Sequence, residues 1–181
     1  TLRPRRISSS IAFQHIIDDP KVGPVRLSGR LHDAASDTLL IVVHGLGGDV
    51  QSHYVLDAAA AGESAGLAVL RIHLRGADQT GEDLYHAGMS HDIHAILSSP
   101  SLRSYKRILM VGYSLGGHIA ILYTLTHPEQ VKRLVLTGSS GLFENGMGGS
   151  YPKRGSYEYI SERVAYTFYD PKVATKELID E

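Results

Sequence analysis

Hydrophobic and polar positions along the chain follow two different spacings, and these spacings alternate. Short, nearly continuous apolar runs predict β-strands at 11–17, 25–31, 38–43, 67–72, 108–111 and 131–136. Between them, apolar residues at helical spacing predict helices at 52–65, 90–97 and 115–126. Strands that alternate with helices favour an α/β fold with a mostly parallel central sheet flanked by helices. The turn-rich link between the first two strands favours an antiparallel hairpin at the start of that sheet.

The pattern changes after residue 137, which predicts a chain of two parts. Residues 1–137 form the α/β core, and residues 138–181 form a loop and a helical cap or lid segment. A Gly- and Ser-rich loop at 138–149 precedes two amphipathic helices, predicted at 156–169 and 171–181. These helices could cover a pocket as a lid, or they could pack as a layer on the edge of the sheet.

The sequence Gly-Tyr-Ser-Leu-Gly at 112–116 stands where a predicted strand meets a predicted helix. In this context the pattern is typical of a serine held on a sharp turn with its hydroxyl exposed. Gly112 and Gly116 would let neighbouring backbone pass close to Ser114, and the helix would direct its first N–H groups at charge developing there. An ordinary strand-to-helix turn that contains Ser and Gly by chance is the alternative.

The composition describes an ordinary folded protein with no strong attraction to nucleic acid. Lys and Arg number 18 against 19 Asp and Glu, which gives a formal net charge of -1, and 43% of residues are hydrophobic. No apolar stretch approaches the ~20 residues that span a bilayer. The absence of cysteine excludes disulfides and a thiol nucleophile, and we expect a cytoplasmic protein.

Together, three motifs resemble the α/β-hydrolase fold superfamily. They are His-Gly-Leu-Gly-Gly at 44–48, Arg-Gly at 75–76 and the serine motif at 112–117. Ser-His-Tyr at 52–54, Tyr-His-Ala-Gly at 85–88 and Asp92 most resemble an esterase-like branch of it. The resemblance implies a serine hydrolase that cleaves a small-molecule ester or related acyl bond through an acyl-enzyme, with no metal and no cofactor.

The resemblance also implies roles for individual residues. Ser114 would be the nucleophile, and the backbone N–H groups of Leu46 and Leu115 would bind the oxyanion. The residues of the supporting loops would be His44, Gly45, Gly47, Gly112 and Gly116, with His44 bracing its loop rather than transferring a proton. An ion pair between Arg75 and Asp78 would hold the neighbouring loop.

The chain departs from the family where the base and the acid should follow. The histidines after Ser114 are His118 and His127, both on or beside the predicted helix, and neither follows the family order. No carboxylate directly follows the last predicted strand, at Gly138-Ser139-Ser140, whereas Glu144, Asp170 and Asp180 lie in the loop or cap. Because the family places its acid and base after two further strands that this sequence does not reach, we expect a truncated hydrolase with a C-terminal segment missing, a chain cut within its cap, or a catalytically silent relative that acts as a binding module. A homo-oligomer could also supply the strands. For this chain we expect feeble ester hydrolysis.

Two other motifs suggest chemistry, and both are disfavoured. His91 and His94 have a spacing that can place two imidazoles on one metal ion, but no carboxylate pattern accompanies them. Hydrogen-bonded or solvated histidines are therefore favoured. The glycines of 45–48 lack the Gly-Lys-Ser/Thr ending of a phosphate-binding loop.

Overall fold

The computed structural model describes residues 8–79 and 83–139, which form a mixed sheet with helices on both faces. The strands are β1 (Ile11–Asp19), β2 (Gly23–His32), β3 (Thr38–Val43), β4 (Ala68–Ile72), β5 (Arg107–Tyr113) and β6 (Val131–Thr137). The helices are α1 (His53–Ser64), α2 (Ser90–Ser98) and α3 (Leu115–Thr126). The predicted fold class, a mostly parallel sheet flanked by helices, is confirmed.

The strand order across the sheet is β1-β2-β4-β3-β5-β6. Strands β4, β3, β5 and β6 run parallel, while β2 is antiparallel to both β1 and β4, so the predicted hairpin is confirmed. Val43 at the end of β3 pairs with Gly112 near the end of β5. Because parallel neighbours end at the same edge, the segments that follow β3 and β5 lie side by side.

Strand β3 separates the two halves of the hydrophobic core, since its side chains point alternately to opposite faces. Leu39, Ile41 and Val43 pack in one cluster, which helices α2 and α3 complete with Ile93, Ile96 and Ile119. Leu40 and Val42 pack in the other, to which α1 contributes Val55 and Ala59. Every residue of β3 is buried, as its continuous apolar run predicts.

The structure extends several predicted elements and adds one. β5 continues to Tyr113, beyond the predicted end at residue 111, because Gly112 and Tyr113 still pair with β6. A short 3-10 helix at Pro100–Leu102, which was not predicted, joins α2 to β5. The predicted helices at 156–169 and 171–181 lie outside the described residues. Within the described ranges, no helix has both the length and the apolar character that crossing a bilayer requires.

Candidate active site

Ser114 is the single residue between β5 and α3. Its backbone has φ 50° and ψ -120°, a conformation that residues other than glycine rarely adopt. Its N–H donates to the carbonyl of Thr137 (3.1 Å), and its own carbonyl accepts from the N–H of His118 (3.2 Å). These backbone bonds fix the sharp turn, and the residue as a whole is exposed.

Glycine allows the loop after β3 to pass directly beside this turn. A Cβ atom at Gly45 would lie 3.0 Å from the Cβ of Ser114 and 3.7 Å from its Oγ. A Cβ atom at Gly116, in the first turn of α3, would overlap the carbonyl oxygen of His44. The predicted residues Gly45, Ser114 and Gly116 are therefore brought together at one edge of the sheet, next to Gly112 in β5.

Hydrogen bonds hold the loop of residues 44–48 in one shape. The N–H of Gly48 donates to the carbonyl of Gly45 (3.1 Å), and Gly47 sits at φ 69° between them. The N–H of Gly45 donates to the hydroxyl of Tyr54 (3.2 Å), and that of Gly47 donates to the hydroxyl of Tyr85 (2.8 Å). Neither tyrosine had a predicted role, because these contacts depend on the packing of separate segments.

The backbone N–H groups of the two residues predicted as oxyanion donors have no acceptor among residues 8–79 and 83–139. One belongs to Leu46, which lies between the two tyrosine-bonded glycines and has 74% of its surface exposed. The other belongs to Leu115, the first residue of α3. A helix N-terminus carries partial positive charge, and an exposed amide can bind an anion. The predicted donors thus flank Ser114 on its two neighbouring segments.

His44 is completely buried and connects the loops that follow β3 and β4. The N–H of Leu74 donates to its Nε2 (3.0 Å), so the ring carries its proton on Nδ1, which donates to the carbonyl of Gly45 (2.7 Å). Burial lowers the pKa of the imidazole, although the bond to Gly45 acts in the opposite direction. A neutral His44 with both nitrogens bonded to backbone is suited to support a loop.

The two histidines that follow Ser114 lie on α3 or at its end. The ring of His127 stacks on Tyr123 (4.5 Å between centroids) and on His94 (4.7 Å), at the opposite end of α3 from Ser114. In the described part of the chain, no hydrogen bond joins the ring of His118 or His127 to Ser114. The carboxylates noted in the predicted loop and cap, Glu144, Asp170 and Asp180, lie outside the described residues.

The predicted ion pair between Arg75 and Asp78 is wrong. The buried guanidinium of Arg75 binds Asp92 through two nitrogens (3.0 and 2.6 Å) and also binds Asp19 (2.8 Å) and Asp83 (3.1 Å). The carboxylate of Asp78 accepts instead from the hydroxyl of Ser28. Burial favours this arrangement, because an arginine removed from water needs several acceptors and the three carboxylates supply them.

This group of Arg75, Asp19, Asp83 and Asp92 is called the Arg75 cluster below. The carboxyl of Asp19 has its pKa lowered to about 2 by the backbone N–H of Lys21 and by the Arg75 guanidinium. The carboxylates in turn raise the pKa of Arg75 against the opposing effect of burial. An open cavity of about 490 Å³ adjoins the cluster and is lined also by His86, Met89 and His91. Ser114 and Leu46 are not among its lining residues.

The side chains of His91 and His94 do not converge on a point where they could bind the same metal ion. His91 Nε2 lies 3.2 Å from both Arg75 and Asp92, whereas His94 stacks on His127. Among the residues described by the structure, no three side chains of His, Asp or Glu are arranged to hold a metal ion.

Comparison with known proteins places the chain in a family. A family model described as alpha/beta hydrolase fold matches residues 38–165. A Haemophilus influenzae protein named as an esterase/lipase is 30% identical over 112 residues, which are 61% of this chain and 37% of that protein. The mouse sn-1-specific diacylglycerol lipase ABHD11 is 31% identical over 144 residues, 76% of this chain and 46% of the lipase. The chain thus spans less than half the length of these relatives.

A solved structure from Xanthomonas campestris, described as an a/b serine hydrolase without a lid, has the same fold. It superposes with a TM-score of 0.59 at 21% identity, and the match covers 77% of this chain and 66% of that one. The matched family model, the parallel sheet and the turn at Ser114 lead to one conclusion. The chain belongs to the α/β-hydrolase fold family.

Proposed function

We propose that this chain carries the nucleophile and the oxyanion-binding part of a serine hydrolase that acts on carboxylic esters or related acyl bonds. The observation that carries the proposal is the exposed Ser114 at positive φ, flanked by the N–H groups of Leu46 and Leu115. The names of the two curated relatives, an esterase/lipase and a diacylglycerol lipase, favour an ester substrate.

In the proposed reaction the Oγ of Ser114 attacks the carbonyl carbon of the ester. The negative charge that develops on the carbonyl oxygen is bound by the N–H groups of Leu46 and Leu115. The carbonyl then re-forms as the bond to the alcohol oxygen breaks, the alcohol leaves with the proton that the Ser114 hydroxyl has lost, and the acyl group remains as an ester of Ser114. Water attacks this acyl-enzyme, releases the carboxylic acid and returns the proton to Ser114.

Proton transfer sets the rate that this chain can reach. Neither His118 nor His127 is hydrogen-bonded to Ser114 through its ring in the described residues, so full triad catalysis is not expected of them. Oxyanion binding and substrate binding alone can leave roughly 10³–10⁴-fold acceleration over water. We therefore expect feeble hydrolysis of p-nitrophenyl acetate by the 181-residue chain.

The supporting residues have a structural part in this proposal. His44, buried and neutral, holds the carbonyl of Gly45, while Gly45 and Gly116 provide the space in which the loop passes beside Ser114. Loss of one oxyanion donor typically lowers the rate by ~10²–10³. The position of the loop is therefore as important as the hydroxyl itself.

A fluorophosphonate probe tests the proposal, because it reacts covalently with an activated serine hydroxyl. We expect slow, stoichiometric labelling that peptide mass mapping assigns to Ser114 and that is lost in Ser114→Ala. Ser98→Ala, which changes a serine on α2 bonded to the carbonyl of His94, is the matched control and should label like the wild type. No labelling of the folded wild-type chain would contradict the proposal and favour a binding module.

Ester turnover gives an independent measurement on the same variants. Hydrolysis of p-nitrophenyl acetate should be weak in the wild type and weaker still in Ser114→Ala, which keeps only the contribution of oxyanion and substrate binding. Robust turnover that disappears in Ser114→Ala would support the nucleophile but contradict the expectation of feeble activity, and it would point to His118 or to an unrecognised base.

A further inference from the structure

The loop of residues 44–48 is held from two sides by tyrosine hydroxyls that belong to different parts of the fold. Tyr54 comes from the first turn of α1, and Tyr85 comes from the segment between β4 and α2. Each hydroxyl accepts a hydrogen bond from one glycine N–H of the loop. These two bonds bracket Leu46.

Tyr54 contacts both segments that flank Ser114. Its hydroxyl accepts from the N–H of Gly45 (3.2 Å), and its ring lies 4.6 Å from the ring of Tyr113, the residue before Ser114. The hydroxyl of Tyr113 in turn donates to the backbone carbonyl of Tyr54 (3.3 Å). A movement of the loop relative to the serine turn would therefore break contacts made by Tyr54.

Tyr85 connects the same loop to the buried Arg75 cluster. Its hydroxyl accepts from the N–H of Gly47 (2.8 Å), and its ring meets the buried ring of His44 edge-on at 5.9 Å. The N–H of Tyr85 donates to the backbone carbonyl of Arg75 (2.9 Å). Because three carboxylates hold the buried Arg75 side chain, this bond links Tyr85 to a residue fixed from several elements of the fold.

The hydrogen bonds of the loop leave one amide for a ligand. The N–H groups of Gly45, Gly47 and Gly48 donate to Tyr54, Tyr85 and the carbonyl of Gly45. Within the described residues, the N–H of Leu46 is the member of this run that lacks an acceptor. The two tyrosines thus decide which amide of the loop can meet the substrate and where it lies.

We propose that Tyr54 and Tyr85 are positioning residues, which fix the N–H of Leu46 for the oxyanion. The inference rests on the proposed function, in which that N–H binds the carbonyl oxygen of the substrate. Neither hydroxyl contacts the reacting atoms in this arrangement. Their removal should therefore slow the chemical step more than it weakens binding of the probe or substrate.

The test compares Tyr54→Phe and Tyr85→Phe with a matched control, Tyr105→Phe. The hydroxyl of Tyr105 also makes one hydrogen bond, to Asp33, but it has no contact with the loop. Fluorophosphonate labelling would be followed as a function of probe concentration to separate the maximal rate from the half-saturating concentration. We expect the maximal rate to fall about 10- to 100-fold in the two loop variants, with little change in half-saturation. Tyr105→Phe should keep the wild-type rate.

Hydrogen exchange of ¹⁵N-glycine amides tests the contacts without requiring activity. Tyr54→Phe should speed exchange at Gly45 and Tyr85→Phe at Gly47, each by about 3- to 10-fold, as expected for one lost hydrogen bond. Tyr105→Phe should change neither amide. Unchanged exchange in both loop variants would overturn the proposal.

The two measurements separate failure of this inference from failure of the proposed function. If the wild type is labelled and the loop variants are labelled equally fast, the tyrosines do not position the donor and the inference is wrong. If the folded wild type is not labelled at all, the proposed function fails, and the exchange experiment still decides whether the tyrosines hold the loop.

Discussion

At the scale of a single residue, burial determines the protonation state of His44 and therefore its role. The His-Gly motif alone is compatible with a catalytic or a supporting histidine, and its resemblance to the family favoured support. The His44 ring is completely buried, and each of its nitrogens has one hydrogen-bond partner in the backbone. With Nε2 accepting and Nδ1 donating, protonation would break the bond from Leu74, so the fold selects the neutral Nδ1–H form.

The neutral state of the buried His44 predicts that the free energy of unfolding depends on pH. Its folded pKa lies below the unfolded value of about 6.5, so below that pH the unfolded chain binds more protons than the folded one. The free energy of unfolding should therefore fall as the pH is lowered from about 6.5, until the folded pKa is reached. NMR of the ring nitrogens at pH 7 should show the Nδ1–H tautomer. A ring protonated on Nε2 would contradict the assignment.

At the scale of elements, the Arg75 cluster joins three parts of the fold. Asp19 ends β1, Asp83 lies in the segment after β4, and Asp92 is in the first turn of α2. Their shared arginine therefore fixes the hairpin and α2 to the segment that carries Tyr85. The role of Arg75 in holding a loop was predictable, but its partners were not, because Asp19 and Asp92 come from other elements and Asp78 is nearer in the sequence.

Arg75→Met should be among the most destabilising single changes in this part of the molecule. It would leave three carboxylates together without a cation, and breaking a buried pair in this way typically costs about 3–5 kcal/mol. Urea denaturation measures the loss in the free energy of unfolding. Arg107→Met, which breaks the exposed pair with Asp37, is the control and should have a much smaller effect. Equal losses in the free energy of unfolding of both variants would show that the Arg75 cluster stabilises the fold no more than an exposed ion pair does.

For the whole molecule, the order of elements followed from hydrophobic periodicity. The continuous apolar run of β3 predicted a strand buried on both faces, and the structure places it between β4 and β5 with a core cluster on each side. The position of Ser114 was predictable because strand, turn and helix signals coincide there. The tyrosine contacts were not predictable, since they depend on how α1 and the segment after β4 approach the same loop.

Native-state hydrogen exchange should follow this layout. β3 has a hydrogen-bonded neighbour on each side and no exposed residue, so its amides should exchange only when the whole α/β core unfolds. β1, with its exposed residues and β2 as its neighbour at the edge of the sheet, should exchange faster through local opening. Protection in β3 no greater than in β1 would contradict this view of the core.

The backbone angles of Ser114 imply that stability and reactivity compete at this position. A residue with a side chain held in a sparsely populated conformation costs about 1–3 kcal/mol, whereas glycine adopts it with little penalty. Ser114→Gly should therefore raise the melting temperature while abolishing probe labelling. Gln79, which also has positive φ, provides the comparison, because Gln79→Gly should raise stability and leave labelling intact. A Ser114→Gly variant with a higher melting temperature and no probe labelling would show that Ser114 is retained for its chemistry and not for the fold.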